Sequence, residues 1–183
     1  YEHADGGVLV SMADAANIIN AAVRLNNTGH ARGDHFINIQ NLVGSAYNDT
    51  LIGDGAANHL DGGAGDDVLE GGAGADTLDG GLGNNTASYA SASNAVRVSM
   101  KDGASADIDP VTSPRFDNTE DARGDYFINI HNLTGSAYSD TLIGDDTSTR
   151  TIGSRLDGSG GNDSITGYAT RNGAAAVISD TLI

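Results

Sequence analysis

Apolar residues recur through the middle of the chain at a spacing that fits neither a helix nor an ordinary strand. Read in steps of nine, residues 44–88 give GSAYNDTLI, GDGAANHLD, GGAGDDVLE, GGAGADTLD and GGLGNNTAS. The eighth position of each is apolar: Leu51, Leu60, Leu69, Leu78 and Ala87, and Leu42 extends the register one step earlier. The sixth position is Asp49, Asn58, Asp67, Asp76 and Asn85. A fixed period of this kind points to a repeat architecture. Three residues around each apolar position suit a short strand whose central side chain points inward. The six glycine-rich residues between suit a turn, because glycine reaches dihedrals closed to other residues and lets carbonyls approach a ligand.

Glycine and charge both argue against folding here. Glycine has the most backbone entropy to lose, and the closely spaced carboxylates of DGGAGDDVLEGGAGADTLDGG (61–81) repel one another. A flexible acidic linker would show no leucine at every ninth position, so the stretch folds only if something neutralises its acids.

Two consecutive nonapeptides, GGAGDDVLE (62–70) and GGAGADTLD (71–79), match the pattern G-G-x-G-x-D-x-U-x at every defined position. In this the chain resembles the haemolysin-type calcium-binding repeats of the RTX family. The resemblance implies an all-β fold, a parallel β-roll in which two nonapeptides make one coil and turns on one side stack every second repeat. It implies Ca²⁺ as the cofactor, a hard cation that takes six to eight oxygens from carboxylates and carbonyls. One side then stacks turns 44–49, 62–67 and 80–85, and the other stacks 53–58 and 71–76. Asp49 with Asp67 is expected to share one ion, Asp67 with Asn85 a second, and Asn58 with Asp76 a third on the opposite side. The first, with two carboxylates, is expected to bind tightest; asparagine at the sixth position departs from the family pattern in the other two. Gly44, Ala46, Gly62, Ala64, Gly65, Gly71, Ala73 and Gly74 complete the ligand set, through the backbone carbonyls of the turns. Asp66 is expected to point outward.

A longer repeat overlies the short one. RGDHFINIQNLVGSAYNDTLIGD (32–54) returns as RGDYFINIHNLTGSAYSDTLIGD (123–145), differing only at His35/Tyr126, Gln40/His131, Val43/Thr134 and Asn48/Ser139. Upstream, YEHADGGVLVSMADA (1–15) aligns with YASASNAVRVSMKDG (89–103). The chain therefore reads as two tandem units. The first spans 1–88, with front strands in 1–43 and a roll in 44–88. The second spans 89–183, with front strands in 89–134 and a degenerate roll in 135–183. Val8, Val10 and Met12 alternate as strand residues do, as do Val96, Val98 and Met100, and Ile37 and Ile39 match Ile128 and Ile130. Residues 13–25 have a helical pattern, but the equivalent stretch carries Pro110 and Pro114, which break helices. Strand and loop, or a helix in one copy alone, are both open. In the second roll GDDTSTRTIGSRLD (144–157) has about five extra residues; if they loop out, Asp140 stacks on Asp163 as Asp49 does on Asp67. Asp180, in the terminal VISDTLI, is a weak further ligand candidate.

Composition narrows the partners. With 25 Asp and Glu against 9 Lys and Arg, the chain of 183 residues carries a formal net charge of −16, which disfavours nucleic acid and anionic membrane surfaces. It has no cysteine, hence no disulfide framework and no thiolate site. No apolar run is long enough to span a membrane, and no signal peptide is visible. Because it opens at Tyr1, the chain is expected to be a piece of something longer. The tripeptides Arg32-Gly33-Asp34 and Arg123-Gly124-Asp125 spell an integrin-binding sequence, but both occupy one position of a duplicated unit. Asp34 and Asp125 fit turn capping or extra calcium ligation better than adhesion. The histidines His3, His30, His35, His59 and His131 lack metal-site spacing, and no hydrolase, zinc-protease or phosphate-loop pattern occurs.

These readings converge on an extracellular or cell-surface calcium-binding module that folds on meeting Ca²⁺. The resemblance implies a bacterial protein exported unfolded by a type I secretion machine. The module is expected to have no enzymatic activity of its own. It is structural or adhesive, built of tandem units, with neighbouring copies of itself or a surface polysaccharide as partners. Alternatively, it is the calcium-binding C-terminal part of a secreted lipase, protease or polysaccharide-modifying enzyme.

Overall fold

The computed structural model describes residues 1–12, 27–34, 36–100, 118–144 and 154–167 and the strand 177–179. The helix-or-loop segment 13–25 and Asp180 lie outside the described residues. Among the described residues, fourteen short strands carry the chain. In the first unit they are β1 (Leu9–Ser11), β2 (Asn41–Val43), β3 (Thr50–Ile52), β4 (His59–Asp61), β5 (Val68–Glu70), β6 (Thr77–Asp79) and β7 (Asn85–Ser88). In the second they are β8 (Arg97–Ser99), β9 (Tyr126–Ile128), β10 (Ile130–Thr134), β11 (Thr141–Ile143), β12 (Arg155–Asp157), β13 (Ser164–Thr166) and β14 (Val177–Ser179).

These strands all pair in parallel. They form a seven-stranded sheet in the order β1-β3-β5-β7-β10-β12-β14, a four-stranded sheet β2-β4-β6-β9 and a three-stranded sheet β13-β11-β8. Through β2 to β7, strands that follow one another in sequence alternate between walls, as in a roll in which each nonapeptide is half a coil. Leu51 pairs with Leu69 and Leu69 with Ala87 on one wall; Leu60 pairs with Leu78 on the other. The apolar eighth positions thus sit within short strands and face inward. Leu51, Leu60, Leu69 and Leu78 are all fully buried, each contributing roughly 1.5–3 kcal/mol.

The front strands prove to be coil strands too. β1 pairs with β3 through Val10 and Leu51, and β8 with β11 through Val98 and Leu142. The sheets also run across the boundary between the units: β9 lies on β6, pairing Phe127 with Leu78, and β10 lies on β7, pairing Leu133 with Ala87. The second unit enters half a coil out of phase. β2 and β4 belong to the four-stranded wall, whereas their counterparts β10 and β12 continue the seven-stranded one.

Candidate metal centre

The sixth residue of each repeat ends its turn and leads into the next strand, and its side chain reaches back along the stack. Asp49 N–H donates to Asp67 Oδ1 (2.8 Å), and Asp67 N–H donates to Asn85 Oδ1 (2.9 Å). On the opposite side Asn58 N–H donates to Asp76 Oδ1 (2.8 Å). In the second unit Asp140 N–H donates to Asp163 Oδ1 (2.8 Å). The structure therefore brings together the pairs that the repeat register names, as ladders of backbone donors and side-chain acceptors.

The ladder oxygen is only half of each carboxylate. Asp67, Asp76 and Asp163 each leave Oδ2 buried with no hydrogen-bond partner. An orphaned, buried carboxylate oxygen costs free energy unless a cation meets it. Burial, with the nearby charges of Asp49, Asp66 and Asp61, pushes the Asp67 carboxyl up to about 6. Burial, with Asp54 and Asp121, does the same to Asp76, also to about 6. Each orphaned oxygen faces the first glycine of its own repeat: a side-chain carbon added at Gly62 would collide with Asp67 Oδ2, and one at Gly71 with Asp76 Oδ2. Gly158 stands in the same relation to Asp163 Oδ2. A substituent there would fill the space over the carboxylate.

The turn backbone explains why glycine is needed next to this space. Gly63 and Gly65 take φ of 92° and 131°, and Gly72 and Gly74 repeat this at 87° and 127°, a region that other residues occupy only with strain. Stacked turns bond backbone to backbone: Ala64 N–H donates to the Ser45 carbonyl (3.2 Å) and Leu82 N–H to the Gly63 carbonyl (2.8 Å). The arrangement lines each side of the roll with carbonyls beside the carboxylates. No cluster of three or more Asp, Glu, His or Cys side chains that could hold a metal occurs among the described residues. A cation here would meet oxygen donors alone, the aspartate carboxylates and turn carbonyls, which suits Ca²⁺ and not a soft transition metal. Gly62, Ala64, Gly65, Gly71, Ala73 and Gly74 all belong to these turns.

Two sixth-position aspartates are satisfied differently. Asp49 accepts Val8 N–H at Oδ1 (2.7 Å), Ser45 N–H at Oδ2 (2.5 Å) and the Ser45 hydroxyl (3.0 Å). Asp140 repeats the pattern with Val96 N–H (2.8 Å), Ser136 N–H (2.6 Å) and the Ser136 hydroxyl (2.7 Å). The turns at Gly44–Ala46 and at Asp140 thus close on a serine, with both carboxylate oxygens engaged. In Asn58, Oδ1 accepts Asp54 N–H (2.8 Å). Asn85 Nδ2 donates to the Asn129 carbonyl (3.2 Å). Asp66 is exposed, yet its Oδ1 accepts Asn84 N–H (2.8 Å) and its own N–H donates to Asn48 Oδ1 (2.9 Å), an outer ladder beside the inner one.

The ladder also has a member that the nonapeptide register does not name. Asp125, from the second Arg-Gly-Asp, is buried; its Oδ1 accepts Asp76 N–H (2.9 Å) and its Oδ2 accepts the Tyr89 hydroxyl (2.6 Å). Burial pushes the Asp125 carboxyl up to about 7 against the lowering effect of these bonds, and pushes the buried Tyr89 hydroxyl well above its usual range. The sequence signal is the identity of the two Arg-Gly-Asp segments. Asp34 makes the same bond with Tyr1 (2.6 Å), the tyrosine that aligns with Tyr89.

Residues 39–69, 52–87 and 154–171 match the RTX calcium-binding nonapeptide repeat, in four copies. No curated protein matches the chain. No helix among the described residues is long and apolar enough to cross a membrane. Glycine turns, inward leucines and orphaned aspartate oxygens agree with that match, and these coils carry RTX calcium-binding nonapeptide repeats.

Proposed function

We propose that this protein is an extracellular structural module, exported unfolded and closed into its roll by Ca²⁺ outside the cell. The observation that carries this is the set of buried oxygens on Asp67, Asp76 and Asp163, each without a partner and each facing a glycine. A chain of net charge −16 that buries carboxylates in pairs is unfavourable where calcium is scarce and stable where it is abundant. Among the described residues the buried aspartates lie in stacked turns, which favours binding and architecture as the role. Asp67, Asp76 and Asp163 supply the carboxylate ligands, and the carbonyls of turns 62–67, 71–76 and 158–163 supply the remainder.

The test is a calcium titration followed by far-ultraviolet circular dichroism. The spectrum is expected to move from coil to β as Ca²⁺ rises, with a midpoint on the order of 10⁻⁴–10⁻³ M. Magnesium is expected to substitute poorly, since it demands a tighter octahedron and sheds water reluctantly. A chain equally β-rich in excess chelator would overturn the reading.

A further inference from the structure

The two units use the same segment in different company. In the second unit, residues 126–134 lie on the coil of the first: Phe127 is paired with Leu78, Ile128 with Asp79 and Leu133 with Ala87. Ile130 is 3% exposed there. In the first unit the equivalent residues meet no such coil among the described residues. Ile37 is 65% exposed and Ile39 43% exposed, although Ile39 is the counterpart of Ile130. Asn41 is exposed where Asn132 is buried.

The exposed segment nevertheless keeps the docked conformation. Asn38 holds φ at 56°, as Asn129 does at 53°, a left-handed backbone that a non-glycine residue takes at a cost. Asn129 uses it against the first unit's coil: its carbonyl accepts Asn85 Nδ2 (3.2 Å) and its Nδ2 donates to Asp79 Oδ1 (3.1 Å). Tyr1 is bonded to Asp34 as Tyr89 is to Asp125. The Tyr1 nitrogen donates to the Val43 carbonyl (2.6 Å) as that of Tyr89 does to Thr134 (2.9 Å). Asp125 spends its other oxygen on Asp76 N–H from the coil below; Asp34 lies exposed.

From this we infer that the face formed by Asp34, Phe36, Ile37, Asn38, Ile39 and Asn41 is a docking face for the closing coil of another roll unit. The occupant is a further copy of the first unit, placed ahead of Tyr1 in the same polypeptide and presenting its own residues 71–88. Its Asp76 N–H meets Asp34, its Leu78 covers Phe36, and its Asn85 meets the Asn38 carbonyl. The join needs no linker, because Ser88 followed by Tyr1 reproduces the native Ser88–Tyr89 step. The inference rests on the stacking of coils and not on where the protein works.

The chain has no cysteine, so a single introduced thiol reports on this face alone. Ile39→Cys is placed in the chain as it stands and in an extended chain with residues 1–88 fused ahead of Tyr1, and both are labelled with a thiol reagent in saturating Ca²⁺. The thiol of Ile39→Cys is expected to react about tenfold or more slowly in the extended chain, since labelling then waits on local opening. Asn41→Cys is expected to follow it, and Ile130→Cys to be slow in both chains. Equal rates for Ile39→Cys in the two chains, with circular dichroism showing the added unit folded, would overturn the inference. Protection of that thiol that grows with the concentration of the unextended chain would also overturn it, by making the occupant another molecule. Rapid labelling of Ile130→Cys would instead remove the unit-to-unit stacking on which the inference is built, whether or not the protein binds calcium.

Discussion

Turns 44–49 and 62–67 are successive members of one stack and are joined by the same ladder, Asp49 N–H to Asp67 Oδ1. They neutralise their aspartates by different means. Asp49 gathers donors from Ser45 and Val8; Asp67 has a glycine, Gly63, in the place of Ser45 and leaves an oxygen bare. The serine turn is complete as protein, and the glycine turn leaves a buried carboxylate oxygen that the protein does not satisfy. In the second unit Asp140 is again closed by its serine, Ser136. Asp163 leaves Oδ2 bare although its turn also carries a serine, because Ser159 spends its N–H on Asp157 and its hydroxyl on the Gly135 carbonyl. Each roll thus begins on a turn whose aspartate is fully bonded within the protein, and the bare carboxylate oxygens come in later turns, at Asp67, Asp76 and Asp163. A calcium-free chain therefore has a place to start its first coil.

Replacing the two aspartates breaks the comparison most sharply. Asp49→Ala strips acceptors from two backbone N–H groups and a buried hydroxyl, and a buried donor left unpaired costs about 1–3 kcal/mol. A loss of about 3 kcal/mol is expected in urea unfolding with saturating Ca²⁺, while the calcium midpoint moves little. Asp67→Asn keeps the ladder acceptor and removes the charge. It is expected to raise the calcium midpoint at least about tenfold, roughly 1.4 kcal/mol, and to leave the calcium-free chain no less stable. Should Asp49→Ala move the midpoint further than Asp67→Asn, the serine turn is also a metal turn and the distinction fails.

Acid sharpens the same contrast, because a proton can stand in for the cation. The Asp67 and Asp76 carboxyls lie near 6 in the folded chain against an ordinary 3.8, and Asp125 lies near 7. The folded state thus binds more protons than the unfolded one between about pH 4 and pH 7, so its stability without calcium falls as pH rises through that window. Calcium-free protein is expected to hold more β structure at about pH 5 than at about pH 7.5. With calcium present the order reverses near the midpoint, since protons compete for the same oxygens and more calcium is needed on the acid side. Circular dichroism at the two pH values, with and without chelator, reads both signs.

How much of this was legible in the sequence depends on how far apart the partners are. Strand centres at Leu51, Leu60, Leu69 and Leu78 follow from a nine-residue period visible to the eye, and the same period sets the ladders from Asp49 to Asp67 and from Asn58 to Asp76. The serine closure of Asp49 was not legible. Ser45 stands where the repeat pattern has glycine, and only the backbone shows its N–H and hydroxyl turned on the carboxylate. Asp125 was harder still. Its partner Asp76 is 49 residues away in the other unit, and no period connects them. The Arg-Gly-Asp duplication marked the residue without revealing its place. The front strands also carry no nonapeptide signature, yet they belong to the roll because an inward Val10 or Val98 on a short parallel strand is all a coil requires.

Glycine conformation ranks next. Gly63→Ala places a side chain at φ 92° against the Ser45 carbonyl, where the backbone term alone costs roughly 1–2 kcal/mol. Ser45→Ala in the neighbouring turn loses the hydroxyl's donation to Asp49 and its acceptance of Tyr47 N–H (3.2 Å), the second a part-buried bond, and is expected to cost about 1 kcal/mol for the two together. Thermal unfolding in saturating calcium should rank Gly63→Ala as the more damaging, and the reverse order would mean that the two turns share one backbone.

The smallest expected effect separates the inner ladder from the outer one. Asp66 and Asp67 are adjacent aspartates, and each has one oxygen accepting a backbone N–H two repeats away, from Asn84 in the one case and Asp49 in the other. What differs is the second oxygen: that of Asp67 is buried and bare, whereas Asp66 is exposed to water. An acidic surface that gathered calcium by charge density alone would treat the two alike. A roll that binds between stacked turns would not, because a solvated carboxylate at the rim attracts the ion only weakly through screening water. Asp66→Ala is therefore expected to cost about 0.5 kcal/mol in stability, from one exposed bond lost, and to shift the calcium midpoint less than about twofold. The measurement is a calcium titration of Asp66→Ala beside Asp67→Asn under identical salt. Equal shifts would place the ions outside the roll, however tightly the chain held them.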